Sequence, residues 1–151
     1  MKPAMRLVFG SLAVGFCSAA VVSASAAELS KEQQAAAFHD QVQAALQAGE
    51  QAGWVVRPDW TLRPDAEDVG RTYPARAKAR DISGLVVFAC KVTGAGRLAP
   101  CEVISEEPQG LGFADGGLQL TRLFKMKPLD AAGVAVEGRL IRLPIAYRIP
   151  R

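Results

Sequence analysis

Between Gly84 and Glu107, apolar and polar positions alternate along two arms that meet at Gly94-Ala95-Gly96. On the outgoing arm Val86, Phe88, Cys90 and Val92 share one face, and on the return arm Leu98, Cys101, Val103 and Ser105 do the same. Alternation with period two on both sides of a glycine turn predicts an antiparallel β-hairpin. The three-residue step from Leu98 to Cys101 breaks that period, which predicts a bulge near Ala99-Pro100, a place where proline has no ladder bond to donate. A further alternation puts Ile141, Leu143, Ile145, Tyr147 and Ile149 on one face and Arg142, Pro144, Ala146 and Arg148 on the other. Pro144 assigns this last strand to a sheet edge, because a central strand would lose a hydrogen bond there.

Helical spacing appears elsewhere. From Leu29 to Gln51, Ser30 and Gln33 form a capping box, and Phe38, Val42 and Leu46 recur every four positions, predicting an amphipathic helix that must dock to be stable. His39 beside that stripe reads as a surface residue. Phe113, Gly117, Leu120 and Phe124 form a second helical stripe closed by Pro128; its Gly116-Gly117 pair costs about 1 kcal/mol per glycine unless close packing offsets it. Asp65 is placed to cap a short helix, and Pro74 to open another through Ala79. Between the first helix and Asp65 the hexamer W-x-x-R-P-D occurs twice, at Trp54 and Trp60. Its prolines favour an extended linker, with both tryptophans packing back on the domain; contact of an exposed tryptophan pair with a partner or glycan is the alternative. The order predicts an α+β fold, a three-stranded antiparallel sheet with helices packed on one face, α-β-β-α-β, preceded by an N-terminal helical arm.

The first residues set the compartment. Lys2 and Arg6 precede an apolar run from Leu7 to Val22 that ends in Ala24-Ser25-Ala26, the pattern of a secretory signal peptide over residues 1–26. An uncleaved membrane anchor is the competing reading, but the run falls short of the ~20 residues a span needs. Export removes Cys17 and leaves Cys90 and Cys101 in an oxidising compartment, facing each other across the hairpin. A disulfide is the expected state; two buried free thiols are the alternative.

Charge divides along the chain. Residues 27–70 carry three basic and eight acidic side chains, and residues 71–151 thirteen basic and seven acidic. This describes either an acidic arm on a basic domain or two solvated faces. With one histidine, no phosphate-binding loop and no C-x-x-C, the sequence offers no catalytic residues, no metal site and no cofactor. An enzyme, a nucleic-acid binder and a small-molecule binder are not expected.

The run from Tyr73-Pro74-Ala75-Arg76-Ala77 through Gly84, Gly96-Arg97-Leu98 and Ser105-Glu106-Glu107-Pro108 to Phe113, Phe124, Met126, Pro128, Gly133 and Leu143-Pro144-Ile145 resembles the C-terminal domain of TonB energy transducers. The resemblance covers about residues 71–150 and divides the chain into a leader (1–26), an arm with the tryptophan linker (27–70) and a TonB C-terminal-like domain (71–151). It implies a periplasmic protein-binding module that captures an outer-membrane receptor peptide, or another envelope protein, by strand addition at its last strand. The implied partner-binding residues are Arg139, Arg142, Pro144, Ala146 and Arg148, joined by Tyr73 and Arg76 of the opening motif. A homodimer is a further arrangement such an edge admits. The rival reading is a structural envelope protein whose edge is covered by the arm and which transduces no energy.

Overall fold

The structure, a computed structural model, describes residues 30–149. The leader, its cleavage site and Cys17 lie outside the described residues.

Helix α1 spans Lys31–Ala48. Its start is fixed by the capping box: the Gln33 N–H donates to Ser30 Oγ at 3.2 Å and the Ser30 N–H donates to Gln33 Oε1 at 2.9 Å. Phe38, Val42 and Ala45 are its buried stripe. After a 3-10 turn at Gly49–Ala52 the chain extends through Trp54 and Val55, both buried, into a short strand β1 (Trp60–Leu62). Helix α2 (Ala66–Thr72) follows, capped reciprocally by Asp65 and Asp68, and then the single turn α3 (Ala75–Lys78), with Pro74 at its N-cap. The Asp68 N–H, donating to the Asp65 carboxylate at 2.8 Å, holds that carboxyl below its ordinary value of 3.8.

The hairpin consists of β2 (Gly84–Val92) and β3 (Leu98–Glu107). Gly96 turns it with a φ of 73°, a conformation that glycine adopts without penalty. Helix α4 covers Phe113–Thr121, β4 is the pair Lys125–Met126, and β5 runs Leu140–Tyr147. Strands β3, β2 and β5 form an antiparallel sheet in that order, while β1 and β4 pair in a separate two-stranded ribbon. The ribbon went unread in the sequence because its strands are two and three residues long. It ties the tryptophan linker to the domain: the Lys127 N–H donates to Asp59 O at 2.9 Å, and the rings of Trp60 and Phe124 lie 5.0 Å apart.

Helices α2 to α4 lie over one face of the sheet, as expected. Val86, Phe88, Cys90 and Val92 from β2 and Ile141, Leu143, Ile145 and Tyr147 from β5 meet Ala77, Phe113 and Leu120 there. The glycine pair is explained by this packing. A Cβ on Gly116 would stand 2.2 Å from Thr72 O, and one on Gly117 would stand 2.7 Å from the Phe88 ring. The arm adds a layer on the opposite face, where Phe38, Val42, Ala45 and Trp54 pack with Ala89, Leu140 and Ile104. His39, on the exposed flank of α1, places Nδ1 2.7 Å from Glu102 Oε1.

The expected bulge is present, since Val92 pairs with Leu98 and Cys90 with Cys101. A second irregularity lies between the pairs Val87–Ser105 and Phe88–Val103. It turns Ile104 toward α1 and puts Ser105 on the face opposite the one predicted. Val103 does share the face of Phe88 but is 39% exposed, because β3 is an outer strand with an uncovered flank. Cys90 and Cys101 form the disulfide; Cys90 is buried and Cys101 half-buried for the same reason.

Candidate partner-binding edge

Strand β5 is an edge strand, and from Ile141 its burial alternates to its end. Successive residues of an antiparallel strand also turn their backbone groups to alternate sides. The Val55 N–H donates to Leu140 O at 2.8 Å, so Leu140 points its backbone groups away from β2. By alternation Arg142, Pro144 and Ala146 point outward as well, and Pro144 falls where its missing N–H costs the β2 ladder nothing. Beyond Leu140, these outward groups meet no backbone partner among the described residues. The arm therefore covers the first position of the edge and leaves the next three open.

Two clefts flank the open stretch. At its start, Gly49, Trp54, Val55, Val56 and Arg142 line a shallow cleft of about 340 Å³. The Arg142 guanidinium lies 4.9 Å from the centre of the Trp54 ring, a cation–π contact that shapes its wall. At the far end, Ala66, Val69 and Gly70 of α2 with Tyr73, Lys78, Ala146 and Arg148 line a cleft of about 490 Å³. Small residues on α2 leave room beside the backbone. Arg142, Arg148 and Lys78 give the strip a positive character, opposed by Asp65 at the α2 N-terminus.

The seven residues named from the sequence fall into three groups. Arg142, Pro144, Ala146 and Arg148 lie together along the open edge and are exposed. Arg139 is engaged internally: its Nε donates to Gly53 O and its Nη2 to Trp54 O, both at 2.9 Å, and Nη1 pairs with Asp130 at 3.2 Å. That clamp secures both the arm and the loop before β5. The Asp130 carboxyl accepts N–H bonds from Val134 and Ala132, and the Val134 bond chiefly holds it below 3.8. Tyr73 borders the far cleft but is fixed by the fold: its hydroxyl donates to Ile82 O at 2.8 Å, and its ring stands edge-on to Phe113 and Tyr147. Arg76 is away from the edge, in a separate cleft with Glu106 and Asp115.

Sequence reasoning missed Trp54, Val55, Val69 and Lys78 as parts of the edge. The repeat at Trp54 was visible, but only the fold brings it beside Arg142, 88 positions later in the chain. Among the described residues there is no cluster of three or more His, Cys, Asp or Glu able to hold a metal ion, and no helix long and apolar enough to cross a membrane.

Among solved structures, the chain is similar to the TonB2 protein from Vibrio anguillarum, with 23% identity over 52% of this chain and 74% of that one, at a TM-score of 0.42. It is also similar to the solution NMR structure of the C-terminal domain of TonB from Pseudomonas aeruginosa, with 24% identity over 52% of this chain and 78% of that one, at a TM-score of 0.43. No curated protein matches it. The family model for the Gram-negative bacterial TonB protein C-terminal matches residues 69–149, from the middle of α2 to two residues beyond β5. The chain belongs to the TonB C-terminal family.

Proposed function

We propose that this protein is a non-enzymatic periplasmic binding module that captures an extended segment of an outer-membrane receptor, or of another envelope protein, by strand addition along β5. The observation that carries the reading is the row of outward, unpartnered backbone groups at Arg142, Pro144 and Ala146, adjoining the single position at which the arm bonds Leu140. Main-chain bonds from such an edge supply affinity, and side-chain clefts beside it supply selectivity. The exposed Arg142 and Arg148 favour a segment with acidic residues. Export after removal of residues 1–26 accords with a periplasmic module. The rival reading is a structural envelope protein with its edge covered by the arm; among the described residues, Val55 to Leu140 is the one backbone bond the arm makes to β5.

The test is capture from envelope extracts by the wild type and by the double variant Arg142→Glu, Arg148→Glu. A partner held by strand addition is recovered with the wild type and lost with the variant while both retain the same melting temperature. Retention should also fall with rising salt, because exposed charges are screened within about 10 Å at 0.1 M. Equal recovery of the partner by a folded variant would remove these arginines from the site.

A further inference from the structure

Residues 53–56 of the arm meet the open edge at its start, and they do so with three elements together: the Val55 N–H on Leu140 O, the Trp54 ring against Arg142, and the Arg139 clamp on Gly53 and Trp54. Val55 is 4% exposed and Trp54 7%. A segment held by a buried apolar pair and three hydrogen bonds is a fixed wall and not a loose flap. These residues precede the stretch that matches the family, which begins at residue 69.

We propose that residues 53–56 are the end wall of the binding edge, and that they fix the length and register of the captured segment. The inference rests on the strand-addition reading above and goes beyond it by specifying the segment. Within β5, pairing can begin only at Arg142 and reaches the end of the strand at Tyr147, five residue steps or about 17 Å of extended chain. The paired segment is therefore about six residues long, and a seven-residue peptide spans it.

Its side-chain pattern follows from the pleat. An added strand continues the two faces of the sheet, so alternate side chains fall on opposite sides. On the helix side they enter the cleft beside Ala66, Val69 and Gly70, which accepts small apolar groups. On the other side they lie next to the exposed side chains of Arg142 and Arg148, which accept carboxylates. The occupant is an extended segment that alternates acidic and apolar residues.

The experiment uses the folded protein with its arm, and acetylated, amidated peptides of alternating Glu and Val, four, seven and ten residues long. A seven-residue peptide with the same composition but its Glu residues grouped is the control. Affinity should rise by about tenfold or more from four to seven residues and by less than about twofold from seven to ten. The grouped control should bind at least about tenfold more weakly than the alternating heptamer. Amide exchange at Arg142 and Ala146 should slow on binding, with protection at Val55 unchanged. Loss of protection at Val55 in the complex, or a further tenfold gain with the ten-residue peptide, would mean that the arm is a displaceable cover; the end wall then fails while strand addition stands. Equal binding of the grouped control would refute the alternating pattern. If no peptide slows exchange at Arg142 and Ala146, strand addition fails and the end wall with it. The same holds if those amides slow with protein concentration alone, which would assign the edge to a second copy of the chain.

Discussion

Replacing Gly116 by alanine sets two effects against each other. In a helix interior alanine is favoured over glycine by about 1 kcal/mol, because glycine loses more backbone entropy on folding. Against this, the new Cβ would stand 2.2 Å from Thr72 O and 2.9 Å from the Tyr147 hydroxyl. Ordinary contact would require α4 to move from α2 by roughly 1 Å, and the obstacle at Thr72 is backbone that cannot rotate away. Overpacking of this kind costs about 1–3 kcal/mol, and a rigid carbonyl places the cost at the upper end. The net expectation is a loss of about 2 kcal/mol, or about 10 °C in melting temperature for a domain of this size. Gly70, in α2, supplies the opposite case, with nothing within 4 Å of its would-be Cβ. Gly70→Ala should therefore raise stability by about 0.5–1 kcal/mol. Urea unfolding followed by circular dichroism gives both values, provided the slope with denaturant stays the same. A Gly116→Ala variant at least as stable as the wild type would refute the close approach of α2 and α4.

Three further outcomes are expected. Reduction of Cys90–Cys101, which closes a loop of sequence separation 11, should lower stability by about 3 kcal/mol in the loop-entropy account; an unchanged melting temperature under reductant that leaves two titratable thiols would refute it. Asp65 and Asp130 have carboxyls held below 3.8 in the fold, so their contribution is present above that value and is lost as pH falls through the lower folded values; urea midpoints between pH 5 and pH 2 should decline, and less so in Asp130→Asn. A chain beginning at Arg71, which we propose as a folding unit, should unfold cooperatively but at lower urea, since burial of Phe38, Val42 and Trp54 contributes about 1.5–3 kcal/mol each, partly offset by the entropy of ordering the arm. A broad transition without cooperativity would make the arm part of that unit.

The long strands and helices were legible because each has its own period: β5 alternates over the seven residues from Ile141 to Tyr147, and α1 carries both its capping box and its stripe. Pro144 located the edge correctly for a local reason, its missing N–H. What stayed hidden depends on residues far apart in the chain. Ile104 turns toward α1 only because a second irregularity follows Phe88–Val103, and no spacing in β3 announces it. The β1–β4 ribbon is too short to show a period. Arg139 was named among the partner-binding residues because a sequence cannot reveal that two carbonyls of the arm and Asp130 converge on its guanidinium. The same applies to the site: the basic residues of β5 were visible, whereas the wall at Trp54 and Val55 required the fold.

The position of the disulfide also bears on the order of assembly. Cys90 and Cys101 are brought together by the hairpin alone, whereas β5 reaches β2 through pairs such as Cys90–Ile141, about fifty residues apart in the chain. Short loops close before long ones, because the entropy of closure rises with their length. The two thiols can thus meet, and be oxidised, while the last strand is still unattached. An oxidised hairpin then offers β5 a pre-formed template on its free side, and the strand proposed to bind the partner is the one that joins the sheet at the end.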